Sequence, residues 1–256
     1  MYRALRARFK QGYRTHRFPK EAPSLPPLYR GLPVIDFDRC PAGCGLCREV
    51  CPTDAITENA GKIALDMGHC LFCGRCEEAC PTDALTFSRD YRLAAHARNG
   101  LVVRDGEADR AALVETASKV FRRSLRLRQV SAAGCNACEA DTNVLGTLTF
   151  DLGRFGIQFV ASPRHADGIL VTGPVSENMK LALHKTLEAV PEPRIVIAAG
   201  ACAIGGGPFR NHDEVHNGIS DILPVDLYIP GCPPSPWTIL DGLLRMLGIE
   251  TPAPSK

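Results

Sequence analysis

Twelve cysteines are the residues of this chain with the most chemistry to offer, and eight of them lie between Cys40 and Cys80. One run is Cys70, Cys73, Cys76 and Cys80, closed by Pro81. Ahead of it stand Cys40, Cys44, Cys47 and Cys51, closed by Pro52. The segment from Cys51 to Thr57 (CPTDAIT) recurs 29 residues on as CPTDALT, from Cys80 to Thr86. An internal repeat of this kind marks a doubled structural unit. A disulfide framework is the competing use of so many thiols. It belongs to short exported chains. Here the chain has 256 residues, and its N-terminus carries charge but neither an apolar core nor a cleavage-like site. No signal peptide is therefore expected. A reducing cytosol, with the thiols free for metal, is the expected setting.

The run from Cys70 has the spacing C-x2-C-x2-C-x3-C-P, the bacterial ferredoxin pattern. A 4Fe–4S cube needs one thiolate on each iron. Three cysteines on a tight loop wrap three corners. The proline then turns the chain, so that the fourth thiolate faces a neighbouring cube. Gly43, Gly45 and Gly74 let backbone N–H groups approach the sulfurs. This crossed arrangement expects Cys40, Cys44, Cys47 and Cys80 at a first cluster, and Cys70, Cys73, Cys76 and Cys51 at a second. Cys40 stands one residue farther upstream than the pattern asks. Either the loop bulges, or Cys40 stays off and leaves a three-iron cluster. Structural zinc uses two pairs of ligands rather than two runs of four with crossed ends.

Short strands are expected at 34–36, 56–58, 63–66 and 85–87, with two short helices after Cys44 and Cys73. About 60 residues bury too little apolar surface for robust folding, so metal binding is expected to supply much of the folding free energy. The segment 34–90 resembles a two-cluster ferredoxin domain of α+β class.

From residue 125 the pattern changes to apolar runs alternating with helical stretches. Strands are expected at 127–132, 156–161, 168–172, 194–199 and 225–229. Helices are expected at 136–147, 176–190 and 235–247. This alternation predicts an α/β domain, a doubly wound parallel sheet with helices on both sides. Cys135, Cys138, Cys202 and Cys232 all follow carboxyl ends of expected strands, where open parallel sheets bind ligands. Four convergent thiolates there mean iron–sulfur or zinc.

The motifs GCNACE (from Gly134), SPRHAD (from Ser162), GAC (from Gly200) with Gly205–Gly207, and PGCPPSP (from Pro230) occur in that order. Over residues 125–248 the chain resembles the family shared by the B-type subunit of complex I and the small subunits of group 4, membrane-bound nickel–iron hydrogenases. The resemblance implies a flavodoxin-like fold and a third 4Fe–4S cluster on Cys135, Cys138, Cys202 and Cys232. The complex I branch carries two adjacent cysteines at the first ligand position. Here Asn136 and Ala137 separate them, as in the hydrogenase branch.

The function implied is electron transfer through three 4Fe–4S clusters in a formate-hydrogenlyase or energy-converting hydrogenase. The chain is not catalytic alone and has no catalytic residues of its own. Implied partners are a hydrogenase large-subunit-like or complex I 49-kDa-like protein and integral membrane subunits. The implied place is the cytoplasmic face of the inner membrane. Alternatives are the equivalent subunit of a complex I-like oxidoreductase using quinone or another acceptor, and a metal-stapled scaffold or sensor.

The remaining expectations concern position. Residues 1–33 read as a basic amphipathic segment, with Tyr2, Leu5, Phe9 and Tyr13 on one side of a helix. Eight Lys or Arg against Glu21 alone, through Arg30, suit an anionic membrane surface or an acidic partner. Residues 91–124 read as a helical connector and 125–250 as the second cluster-binding domain. A net charge of +2 gives no reason to expect nucleic acid, and no run of about 18 apolar residues predicts a membrane span. Glu139, beside Cys138, is a possible proton relay. His69 reads as a surface loop histidine, Arg164 and His165 as interface or capping residues, and Phe72, Trp237 and Tyr228 as packing residues.

Overall fold

The computed structural model describes residues 2–41, 43–59, 61–104, 121 and 124–254. Strands β6 (Leu125–Ser131), β7 (Ile157–Phe159), β8 (Gly168–Thr172), β9 (Ile195–Ala199) and β10 (Leu227–Ile229) form one sheet in the order β10-β9-β8-β6-β7. Every neighbouring pair is parallel. Counted within this domain the order is 2-1-3-4-5, the flavodoxin-like arrangement. The central strands are apolar on both faces because both are covered. Val196 and Ala198 of β9 join one cluster of buried side chains, whereas Ile195, Ile197 and Ala199 join the other. Helix α5 (Glu177–Glu188) lends Leu183 and Leu187 to the first. Helix α7 (Pro236–Met246) lends Ile239, Leu240, Leu243 and Leu244 to the second.

The cysteine-rich half is built from short pieces. Strand β1 (Pro33–Ile35) pairs antiparallel with β4 (Leu85–Phe87). Strands β2 (Ile56–Asn59) and β3 (Lys62–Asp66) form an antiparallel pair. Four-residue helices α2 (Leu46–Glu49) and α3 (Arg75–Glu78) follow Cys44 and Cys73, where the repeat placed them. The first apolar cluster runs unbroken from this half, through Leu65, Met67 and Cys70, into the sheet at Val130 and Ile169.

The expected helical connector differs over its described part. Residues 98–101 form a 3-10 turn, and β5 (Val102–Val103) adds to β3. Ala95 instead exchanges backbone hydrogen bonds with Tyr228 of β10, 3.0 and 2.8 Å. The segment is therefore an extended strap whose edge bonds are satisfied by both halves. Of the helix expected from Ala111 to Phe121, only Phe121 lies among the described residues, and it is helical.

Helix α1 (Tyr2–Gln11) buries no side chain. Behind it the chain is pinned. Trp237 packs against His16 (ring centroids 4.9 Å), Phe18 (5.4 Å) and Phe150 (4.6 Å). Among the described residues no helix is long and apolar enough to cross a membrane.

Candidate iron–sulfur sites

All twelve cysteines are free thiols, and mutual electrostatics sort them into three fours. Burial pushes the Cys40 thiol up, and Cys44 and Cys80 push it further. Burial also raises Cys47, with Cys40, Cys44 and Cys80 adding to it. In the second four, burial drives Cys70 far above its usual range, and Cys76, Cys51 and Cys73 add to the shift. Cys76 is pushed up to about 12, first by burial, with Cys73 and Cys51 contributing. In the third, burial raises Cys138 to about 12, with Cys202, Cys232 and Cys135 adding. Cys202 rises to about 11, again by burial first, then through Cys232 and Cys135. Thiols crowded like this do not coexist as thiolates without a cation to neutralise them. Cys40 sits in the first four despite its extra spacer residue.

The repeat shows its purpose at the fourth cysteine of each run. The N–H of Ala55 donates to Cys51 Sγ, and the N–H of Ala84 donates to Cys80 Sγ, each at 3.2 Å. At Cys80 burial works to raise the thiol. Backbone N–H groups of Leu85, Thr82 and Ala84 outweigh it and bring the thiol below its usual range. The N–H of Phe72 likewise reaches Cys70 Sγ at 3.2 Å. Donors aimed at sulfur stabilise negative charge there and tune an iron–sulfur potential.

The third four crowns the sheet. Cys135 leaves β6, and α4 (Ala137–Val144) carries Cys138, whose carbonyl accepts from Thr142 Oγ1 at 2.7 Å. Cys202 lies on α6 (Ala201–Gly205) after β9. Cys232 ends β10's exit, where the Ser235 hydroxyl accepts from the N–H of Thr238 and Pro236 opens α7. Gly200 has φ +94°, and a Cβ there would stand 2.6 Å from Cys138 Sγ. Gly207, at φ +54°, would put one 2.7 Å from Cys202 Sγ. These glycines clear space around the sulfurs.

Cys232 is raised by burial, then by Cys135, and then by Cys73 of the second four. The second and third sites are thus neighbours, and Cys51 and Cys80 cross between the first two. Gly205, at the end of the helix that carries Cys202, lies against His69, the residue before Cys70 of the second four.

The donor set fits iron–sulfur cubes. Each group brings four thiols together. Among the described residues no three of His, Cys, Asp and Glu converge closely enough for a single ion. Thiolates on separate corners of a cube stand farther apart than those round one zinc ion.

His69 departs from expectation, and Glu139 has surroundings that the sequence did not show. Glu139 is only 7% exposed. Burial works to raise its carboxyl, but bonds from Ser131 and Thr172 outweigh it and hold the group below its usual range; Thr172 Oγ1 donates at 2.6 Å. Glu139 also lines an open cleft of about 510 Å³ with Arg128, Gln129 and Asn143. His69 is half-buried rather than a surface loop residue: its ring is packed on the backbone at Gly205, which carries no side chain to displace it. Arg164 and His165 are exposed on the turn after β7. Phe72 packs on Phe87 with ring centroids 6.0 Å apart.

A five-stranded parallel sheet with four cysteines at its carboxyl edge, joined to two crossed cysteine runs, defines an iron–sulfur protein. Residues 32–81 match the 4Fe-4S dicluster domain, and residues 135–246 match the NADH ubiquinone oxidoreductase 20 Kd subunit family. Formate hydrogenlyase subunit 7 of Escherichia coli is 42% identical over 51% of each chain. The probable membrane-bound hydrogenase subunit mbhJ of Pyrococcus furiosus is 40% identical, over 50% of this chain and 77% of its own. The B-type subunit of NADH-quinone oxidoreductase from Heliobacterium modesticaldum is 40% identical over 48% of this chain and 71% of its own. The chain thus spans about half the length of the formate hydrogenlyase protein and more of the other two. It belongs to the family of the NADH ubiquinone oxidoreductase 20 Kd subunit, whose relatives are subunits of oxidoreductase complexes.

Proposed function

We propose that this chain is the electron-transfer subunit of a membrane-associated hydrogenase complex of the formate-hydrogenlyase or energy-converting type. Residues 34–90 act as a ferredoxin-like domain holding two 4Fe–4S clusters. Cys40, Cys44, Cys47 and Cys80 hold the first, and Cys70, Cys73, Cys76 and Cys51 the second. Cys135, Cys138, Cys202 and Cys232 hold the third. Clusters of this kind supply reversible one-electron chemistry when bound. The polypeptide supplies the rest: twelve thiolates, N–H donors on Cys51, Cys70 and Cys80, and an apolar core that buries Cys47, Cys70, Cys76 and Cys202.

The observation that carries this reading is that the second and third fours adjoin, the loop that leads into Cys70 lying against the end of the helix that carries Cys202. A zinc-stapled scaffold has no use for adjacency between metal sites, whereas an electron relay requires it. Cys135 and Cys232 are exposed, which suits a terminal site presented to a separate large subunit. The amphipathic α1 suits a place at the cytoplasmic face of the membrane, beside integral subunits.

The test is isolation of the intact complex from membranes under anaerobic conditions. Nickel in a co-purifying large subunit, hydrogen-dependent reduction of a viologen dye, and about twelve irons per copy of this chain are expected. Fewer than about eight irons would defeat the three-cluster assignment. A nickel-free complex that reduces quinone would favour the complex I-like reading, to which the separated Cys135 and Cys138 run contrary.

A further inference from the structure

Three residues that are not cluster ligands meet where the second and third fours adjoin. Asp66 ends β3. Its two carboxylate oxygens each accept from the Arg98 guanidinium at 2.7 Å, a forked charge-assisted pair. The same carboxylate accepts from the N–H of Gly68 at 2.8 Å and lies 3.3 Å from His69 Nδ1. Its backbone carbonyl accepts from the N–H groups of His69 and Cys70, both at 3.1 Å. The loop leading into the second four is thereby tied to one side chain.

The other side of the knot belongs to the third four. A Cβ on Gly205 would stand 2.6 Å from His69 Nε2 and 3.0 Å from the carbonyl of Gly68. A Cβ on Gly68 would meet Ile204 Cγ2 at 2.7 Å. Gly205 and Ile204 end α6, the helix that carries Cys202. The carbonyl of His69 in turn accepts from Thr53 Oγ1 at 2.8 Å, two residues from Cys51. The ring of His69 therefore sits between the loop of Cys70 and the helix of Cys202. Arg98, from the strap outside both matched families, braces it through Asp66.

We propose that the Arg98–Asp66–His69 knot, seated on Gly205, is the spacer that sets the separation of the second and third clusters and so the rate of electron passage between them. The inference rests on the three-cluster reading. Arg98, Asp66 and His69 are positioning residues, acting through the loop and helix they join. Tunnelling falls steeply with distance, so a rigid seat of backbone and a forked ion pair is the device such a gap requires. Lysine in place of Arg98 keeps the charge but not the fork. Glutamine keeps neither.

The test uses the full chain, anaerobically loaded, in wild-type, Arg98→Lys, Arg98→Gln and Gly205→Ala forms. Iron content and low-temperature electron paramagnetic resonance of the fully reduced protein are read for each. Wild type is expected to show magnetic splitting between neighbouring reduced clusters. Arg98→Lys, which keeps the charge but loses the fork, should change it less than Arg98→Gln. Arg98→Gln and Gly205→Ala should keep their iron, yet lose or shift the splitting between the second and third clusters. Splitting unchanged in both would overturn the proposal. Loss of iron from the third site in both would overturn it too, by showing that the knot holds the fold rather than the spacing. Wild type with full iron but no splitting would instead defeat the relay reading beneath it.

Discussion

Ala95 and Tyr228 exchange two backbone hydrogen bonds, the N–H of Ala95 donating at 3.0 Å and that of Tyr228 at 2.8 Å. Through this pair the strap between the halves becomes an extra edge on the parallel sheet. Farther along, Val102 and Val103 pair with β3 in the cysteine-rich half. The two cysteine-bearing halves are thus tied by backbone, not merely by a tether.

Removing the metal should separate the halves in stability. The pieces around Cys40–Cys80 are strands of three to five residues and helices of four, too short to persist without cross-links. Hydrogen exchange on iron-stripped protein is expected to show protection lost across residues 33–87 and kept in β6, β8 and β9. Uniform loss throughout the chain would contradict this.

Cys40→Ser is the sharpest probe of the irregular first run. Cys40 lies electrostatically against Cys44 and Cys80, so a three-iron signal should appear on oxidation and iron should fall by about one per chain. An unaltered spectrum would remove Cys40 from the ligand set.

Glu139→Gln keeps the shape of a buried side chain and its acceptor for Thr172 but removes a negative charge next to Cys138. Reduction of the third cluster should become easier, so its potential should move positive in a redox titration. If Glu139 also relays protons, proton-coupled turnover of the complex should fall about 100-fold. A shifted potential with full turnover would leave it an electrostatic residue only.

Trp237→Ala should cost about 3 kcal/mol in chemical denaturation, because the half-buried indole packs on His16, Phe18 and Phe150. Limited proteolysis should then cut faster between residues 13 and 20 than in the wild type. Unchanged cleavage would show that other contacts pin the segment.

Deleting residues 2–11 should leave the denaturation midpoint nearly unchanged, since α1 buries no side chain. Its Arg3, Arg6, Arg8 and Lys10 each contribute about 1 kcal/mol near an anionic bilayer. Sedimentation with vesicles rich in anionic lipid should therefore weaken sharply, and binding to neutral vesicles should not change. Equal sedimentation of both forms would point α1 at a protein partner instead.

Local chemistry made much of this legible. The strand expected at 168–172 and the strand at 85–87 are present with those bounds. The helices at 177–188 and 236–246 lie within a few residues of expectation. Periodicity reports which residues face a core, and these elements face theirs on their own periods. The strap from 91 to 104 has no such period. Its bonds go to Leu65 and Asp66 on one side and to Tyr228 on the other, and nothing nearby in the chain signals them.

Cysteine spacing and the repeat pointed to the two crossed fours of the first half, because a loop of two intervening residues can reach only adjacent corners of one cube, but spacing left the place of Cys40 open. The parallel sheet followed from alternating apolar runs. What tertiary structure decided was adjacency: His69 lodged on Gly205, Ile204 against Gly68, Glu139 accepting from Thr172. Each depends on two distant segments closing on a shared core, and no local pattern encodes where distant segments meet.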